Sequence, residues 1–189
     1  VASAFLAKTN PSGAIPVDID LIVENMGIDI VPVPGLVDGR GIEAYITADA
    51  TTIFVDAFQY RSRHNRYRFT LAHEIGHLEL HKSLFRNFMT FEEWRQFRQH
   101  MTPIEYDAAE IQAKNFAGLV LVPDAGLRAR TKAIFDECSA SIREADPDFN
   151  LAGEEFWEIV ATRLARVFQV STDVARIRLQ KEILWGSRL

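Results

Sequence analysis

Five consecutive residues, His73-Glu74-Ile75-Gly76-His77, constrain this chain more than any other feature. Imidazoles four residues apart lie on one face of an α-helix, with Cβ atoms ~5–6 Å apart. Both rings can therefore reach one metal ion at ~2.0–2.1 Å each. Glu74 points about 100° around the helix, beside that ion rather than onto it. A carboxylate so placed suits a general base acting on a water molecule. Phe69, Leu71, Ala72, Ile75 and Leu78 give the same helix, predicted over roughly 66–81, apolar faces. Two histidines and a glutamate on such a helix cost free energy unless they are paired or ligated. The bland alternative, a chance motif in a packed helix, has to absorb that cost.

A catalytic zinc usually takes three protein ligands and a water. An extended motif of the metzincin type would place Gly at 80 and His at 83, but the chain has Leu80 and Ser83. His81 faces the same way as His77, yet lies ~12 Å along the axis from His73. It is thus better placed to line a pocket than to share one metal. Glu79 points away from that face. The best third candidate is Glu110, on a second helix predicted over 104–120. Tyr106, Glu110, Ala113 and Ala117 form one stripe there, and a lone carboxylate among alanines is odd for a solvent face. The small residues let that helix approach the first closely. Asp107 and Glu105 are nearby fallbacks on other faces, and a plain surface glutamate is the uneventful reading of Glu110.

The rest of the chain sets the frame. With 189 residues, 48% hydrophobic and 25% charged, it can build a real core. No apolar run approaches the ~20 residues of a membrane helix, and the stretch near 117–122 is cut by Pro123. The opening VASAFLAKTN lacks the layout of a signal peptide, although without an initial Met a removed leader is conceivable. A single cysteine, Cys138, excludes an internal disulfide framework and fits a reducing cytoplasm. The net charge of -5 argues against a chain-wide affinity for nucleic acid. Residues 1–14 read as a loose lead-in. IPVDIDLIVENMGI reads as a short helix with Pro16 in its first turn and Gly27 at its end. IDIVPV, IEAYIT and TTIFVD read as three strands of a small antiparallel meander, the first at an edge because of its prolines. Residues 126–189 read as a mostly helical region, packed on or appended to a metallopeptidase domain over 1–125.

RYRFTLAHEIGHLELH, followed by EIQAKNFAGLVLVP, resembles the ImmA/IrrE family of metallo-endopeptidases. LARVFQVSTDVARIRLQ resembles that family's usual tail. The similarity covers about 16–123 and 155–184, and the segments 82–103 and 126–153 match nothing in it. The resemblance implies an α+β, zincin-like fold of the gluzincin kind, with a small antiparallel β-sheet, an active-site helix and a helical C-terminal portion. It also implies zinc (Zn2+) on His73, His77 and Glu110, with Glu74 as catalytic base. It implies a role in relieving transcriptional repression, often under stress, by cleaving an XRE-type helix-turn-helix repressor.

Hydrolysis also needs a donor for the developing oxyanion. Tyr106, His81, His64 and Tyr67 are the candidates, for that role or for substrate binding. Arg61, Arg63, Arg66 and Arg68 with His64 form a local basic run, read mainly as a solvated lead-in. Phe85, Phe88, Phe91, Trp94 and Phe97 form an aromatic stripe, read mainly as core. The tail from 160 to 189 carries about +4 by formal count, and its helix-turn-helix rhythm breaks near Gln169–Ser171. DNA binding there is conceivable but not expected, since Gln169 stands where such turns favour glycine. Two rivals to the protease reading remain. One is a regulator that binds a repressor or DNA around a structural zinc, for which an intact Glu74 is superfluous. The other is a zinc hydrolase of small amides or esters, which needs no protein partner.

Overall fold

The computed structural model describes residues 1–82 and 90–185. The architecture is α+β and zincin-like: a small sheet and, among the described residues, ten helices, with the motif helix between the sheet and a second long helix. The lead-in is ordered. Helix α1 (Ala2–Thr9) buries Ala2 and Phe5, and the Phe5 ring meets Phe116 edge-on at 5.4 Å. Its eight residues gave too weak an apolar period to distinguish helix from coil. Helix α2 (Ile19–Asn25) starts later than expected. Asp18 caps it by accepting the Leu21 N–H at 3.0 Å, so Pro16 precedes the helix instead of opening it. Gly27, at φ +73°, turns the chain out of the helix in a conformation that glycine adopts freely.

The sheet is mixed, and the expected meander holds only in part. Strand β1 (Asp29–Val33) leads into a short helix α3 (Leu36–Arg40), then β2 (Ala44–Ile46) and β3 (Thr52–Asp56). The order is β1-β3-β2. β2 and β3 form the expected antiparallel hairpin, while β1 runs parallel to β3, with Asp29 opposite Thr52. The intervening α3 carries the chain across, and a parallel pair requires such a crossover. β1 is an edge strand, as its prolines suggested. Ala44, Ile46, Ile53 and Val55 face the main core, whereas Tyr45 and Phe54 stack at 5.0 Å on the other face with Leu36 and Ile42.

β3 passes directly into α4 (Ala57–Ser62) through Asp56. This buried carboxylate accepts N–H bonds from Phe58 (3.0 Å), Gln59 (3.1 Å) and, across the sheet end, Val37 (3.2 Å). Burial raises its pKa, but the backbone donors outweigh burial and hold it below the ordinary carboxylate value. A group lowered on folding stabilises fully above its unfolded-state pKa and loses that contribution as pH falls through the folded-state value. Asp56→Ala should therefore cost about 1–2 kcal/mol at neutral pH and much less in strong acid. Urea midpoints across an acid series test this, and an equal loss at every pH would refute it.

Helix α5 (His64–His81) carries the motif, and α7 (Pro103–Leu121) packs along it. Thr102 and Glu105 form a capping box at the start of α7, with Pro103 in its first turn. Helix α6 (Phe91–His100) precedes it. The side chains of Phe85, Phe88, Phe91, Trp94 and Phe97 lie outside those described. Helices α8 (Asp124–Ala145), α9 (Glu154–Phe168) and α10 (Thr172–Trp185) complete the chain, and α9 buries Phe156, Val160, Leu164 and Phe168. One continuous core extends from Phe5 through Leu71 and Val120 to Leu179. No helix among the described residues is long and apolar enough to cross a membrane.

Two polar ties fix the turn between α9 and α10 to the motif helix. The Asn65 amide donates to the Val170 carbonyl at 3.0 Å. The buried Arg68 guanidinium donates to the Gln169 carbonyl at 3.1 Å and to the Val17 carbonyl at 2.8 Å. Gln169 itself sits at φ +52°, the left-handed position that favours glycine. The basic run thus dissolves: Arg68 is buried, Arg66 pairs with Glu43, and Arg63 lies over the Phe58 ring at 5.1 Å. In the tail, Arg163 pairs with Glu137, Arg176 with Glu158 and Asp173, and Arg178 with Asp124.

Candidate metal centre and its cleft

His73 and His77 turn their Nε2 atoms toward each other, 3.0 Å apart, on the face of α5 that meets α7. Glu110 reaches both from α7, at 3.5 Å from His73 Nε2 and 3.3 Å from His77 Nε2. One ligand atom from each of the three residues lies within 4.8 Å of the others. Among the described residues this is the one such group of His, Cys, Asp or Glu. Asp107 and Glu105 are not part of it, and Glu105 is engaged with Thr102.

The close approach of the two helices has a local cause. A Cβ on Gly76 would lie 3.1 Å from the Ala113 carbonyl oxygen, 3.1 Å from Phe116 Cδ1 and 3.2 Å from Ala113 Cα. Ala113 and Ala117 are fully buried. The small stripe beside Glu110 thus has its counterpart in the motif's own glycine, which nothing in the motif's chemistry demands.

Electrostatics separate the acidic groups. Glu74 is buried, and desolvation pushes its carboxyl up to about 7. Nearby His77 and the Ile46 N–H from β2 act in the opposite sense, and Glu110 adds to the rise. Glu110 is held down at about 2: burial raises it, but His77, His73 and Lys114 more than compensate. Lys114 lies one turn on, 3.6 Å from the carboxylate. Burial and the neighbouring His77 hold His73 down at about 4. Its ring is therefore neutral at pH 7 and keeps a lone pair for coordination.

Two imidazoles and an ionised carboxylate, converging from two helices, suit a divalent transition metal in character and number. His73 Nδ1 is buried with no hydrogen-bond partner among the described residues. On His77 the second ring nitrogen is occupied: Nδ1 lies 3.1 Å from His81 Nδ1, and His81 Nε2 lies 3.0 Å from Gln112 Oε1. Burial lowers the His81 pKa. Gln112 had no signal in the sequence, because an exposed glutamine on a helix looks like any other.

The group opens into a cavity of about 590 Å³. Ile42, Glu43 and Ala44 beside β2 form one wall, and Ser171, Asp173 and Val174 at the start of α10 form another. Tyr106 and Met101 line the α7 side. Of the four candidates for oxyanion stabilisation or substrate binding, Tyr106 alone lines this cavity. His81 lies beneath His77. His64 is exposed at the start of α5. Tyr67 is in the core, with its hydroxyl donating to Asp20, and lies outside the cavity lining.

A profile of the peptidase M78 family, described as the IrrE N-terminal-like domain, matches residues 52–180. That span runs from β3 into α10 and takes in every residue of the donor group. No curated protein matches the chain.

Proposed function

The chain belongs to the peptidase M78, IrrE N-terminal-like family, and from that premise we propose that it is a zinc-dependent endopeptidase that cleaves an XRE-type helix-turn-helix repressor. Membership implies metallopeptidase activity and a bound metal. One observation carries the proposal: two imidazoles and a carboxylate converge in the lining of a cavity, with a buried carboxyl, Glu74, beside them.

In this reading His73, His77 and Glu110 hold the zinc. When bound, the metal supplies a Lewis acid that polarises a peptide carbonyl and acidifies a water. Glu74 takes that water's proton and returns it to the leaving amine. Burial raises that carboxyl in the metal-free protein, which favours its holding a proton between the two transfers. Tyr106, on the cleft wall, is the candidate donor to the developing oxyanion. A cavity of about 590 Å³ lined by residues beside β2 and at the start of α10 suits a segment of a protein, and a small amide would leave much of it empty. The lone thiol of Cys138 fits a cytoplasmic site of action.

The test is mass spectrometry of new protein termini in host lysate, comparing the parent with Glu74→Gln. The expected result is a new terminus inside one helix-turn-helix repressor, absent with the variant. Zinc-loaded parent protein that produces no Glu74-dependent terminus would refute the endopeptidase reading. New termini confined to proteins of other kinds would refute the repressor alone.

A further inference from the structure

We propose that His81 and Gln112 are positioning residues that fix the tautomer and orientation of His77 through a relay running from α5 back to α7. The proposal rests on the assignment of His77 as a metal ligand. Coordination through Nε2 requires a lone pair there, so the neutral ring must carry its proton on Nδ1. The ring nitrogen in reach of that proton is His81 Nδ1, at 3.1 Å. It accepts the bond, which leaves the proton of a neutral His81 on Nε2. That atom faces Gln112 Oε1 at 3.0 Å, a carbonyl oxygen that can only accept. Each role is set by the next, and the terminal acceptor removes the ambiguity. His77 and His81 are both buried, which keeps water from competing for the bond between their rings.

The relay also explains a spacing. His81 is too far along the axis to join His73 on one metal, yet it faces the same way. Gln112 lies two residues after Glu110 on α7, so one helix supplies both a ligand and the anchor of another ligand. The His73 ring has no equivalent, because its Nδ1 is buried without a partner among the described residues. Tautomer control of the donor group therefore enters through His77.

The test combines metal affinity with a spectroscopic readout. Zinc affinity is measured by competition with a chromophoric chelator for the parent, His81→Phe, Gln112→Leu and Gln112→Glu. Nitrogen-15 NMR of the imidazoles reads the His77 tautomer in metal-free protein. His81→Phe and Gln112→Leu should bind zinc ~10–100-fold more weakly, the usual effect of losing such a partner. Gln112→Glu, which keeps an acceptor, should stay within about threefold of the parent. The parent should show the His77 proton on Nδ1, and His81→Phe should shift it toward Nε2. Gln112 is exposed, so its variants are expected to fold. A purely structural role would lower melting temperatures and leave the tautomer unmoved. The proposal is overturned if the metal-free parent carries the proton on Nε2, or if Gln112→Leu binds zinc as tightly as the parent. A parent that binds no zinc would refute the metal assignment, while the tautomer measurement would still decide the relay.

Discussion

Glu74→Gln is expected to retain as much zinc as the parent and to cleave its substrate ~10²–10⁴-fold more slowly, the usual weight of a general base. The two effects separate because Glu74 is outside the donor group. Its carboxyl lies beside that group, within reach of the Ile46 N–H. Glutamine has nearly the same shape, and its amide oxygen still accepts that bond, so the wall between β2 and α5 is preserved. What it loses is the capacity to take a proton and give it back. The variant also removes a buried ionisable group that desolvation pushes up to about 7, so its melting temperature should not fall. His77→Ala is the contrasting case and should lose metal and activity together. Elemental analysis of desalted protein, paired with cleavage rates, checks both. Glu74→Gln activity above about a tenth of the parent's would remove Glu74 from the chemistry.

Gly76→Ala should destabilise the protein although alanine is the better helix former. The intrinsic preference favours Ala by about 1 kcal/mol. Against it, the new methyl would meet the Ala113 carbonyl oxygen and Cα at 3.1 and 3.2 Å, with the Phe116 ring on its third side. Two of these three neighbours are backbone and cannot swing away. Overpacking of this kind costs about 1–3 kcal/mol, so the net loss is about 0–2 kcal/mol. Gly76→Val adds two further carbons and a β-branched penalty in the helix, and should lose ~3 kcal/mol or more. The larger effect is on the metal. Ala113 lies one turn from Glu110, so any widening at Gly76 withdraws the carboxylate from both histidines. Gly76→Val should therefore bind zinc at least ~100-fold more weakly with every ligand intact, since a displacement near 1 Å has effects of this size. Thermal melts and chelator competition measure the two losses. A Gly76→Val protein with parental zinc affinity would show that the helix spacing does not set the site.

Much of this could be read from the sequence because the chemistry is compressed. His73, Glu74 and His77 occupy five residues of one helix, and their relation needs only helical geometry. That Glu110 stands beside the two histidines was legible because a carboxylate lies in a stripe with Ala113 and Ala117, a pattern that a solvent face does not need. Other features depended on distant partners. Nothing local to Asp29–Val33 says that it pairs parallel with β3, because the crossover through α3 decides that. The helix α1 is held by Phe116, more than a hundred residues away. Tyr67 seemed free to point at the cleft until the fold brought Asp20 to its hydroxyl. Gly76 occupies one of the motif's unspecified positions, and its need for close approach exists only once Ala113 faces it.

The turn after α9 lends Ser171, Asp173 and Val174 to the cleft and is bonded back to Asn65 and Arg68. The sequence up to residue 168 contains His73, Glu74, His77 and Glu110, but the residues of that wall of the groove come after it. The proposed endopeptidase would therefore acquire that side of its groove only when α10 is synthesised, long after the residues that carry its chemistry.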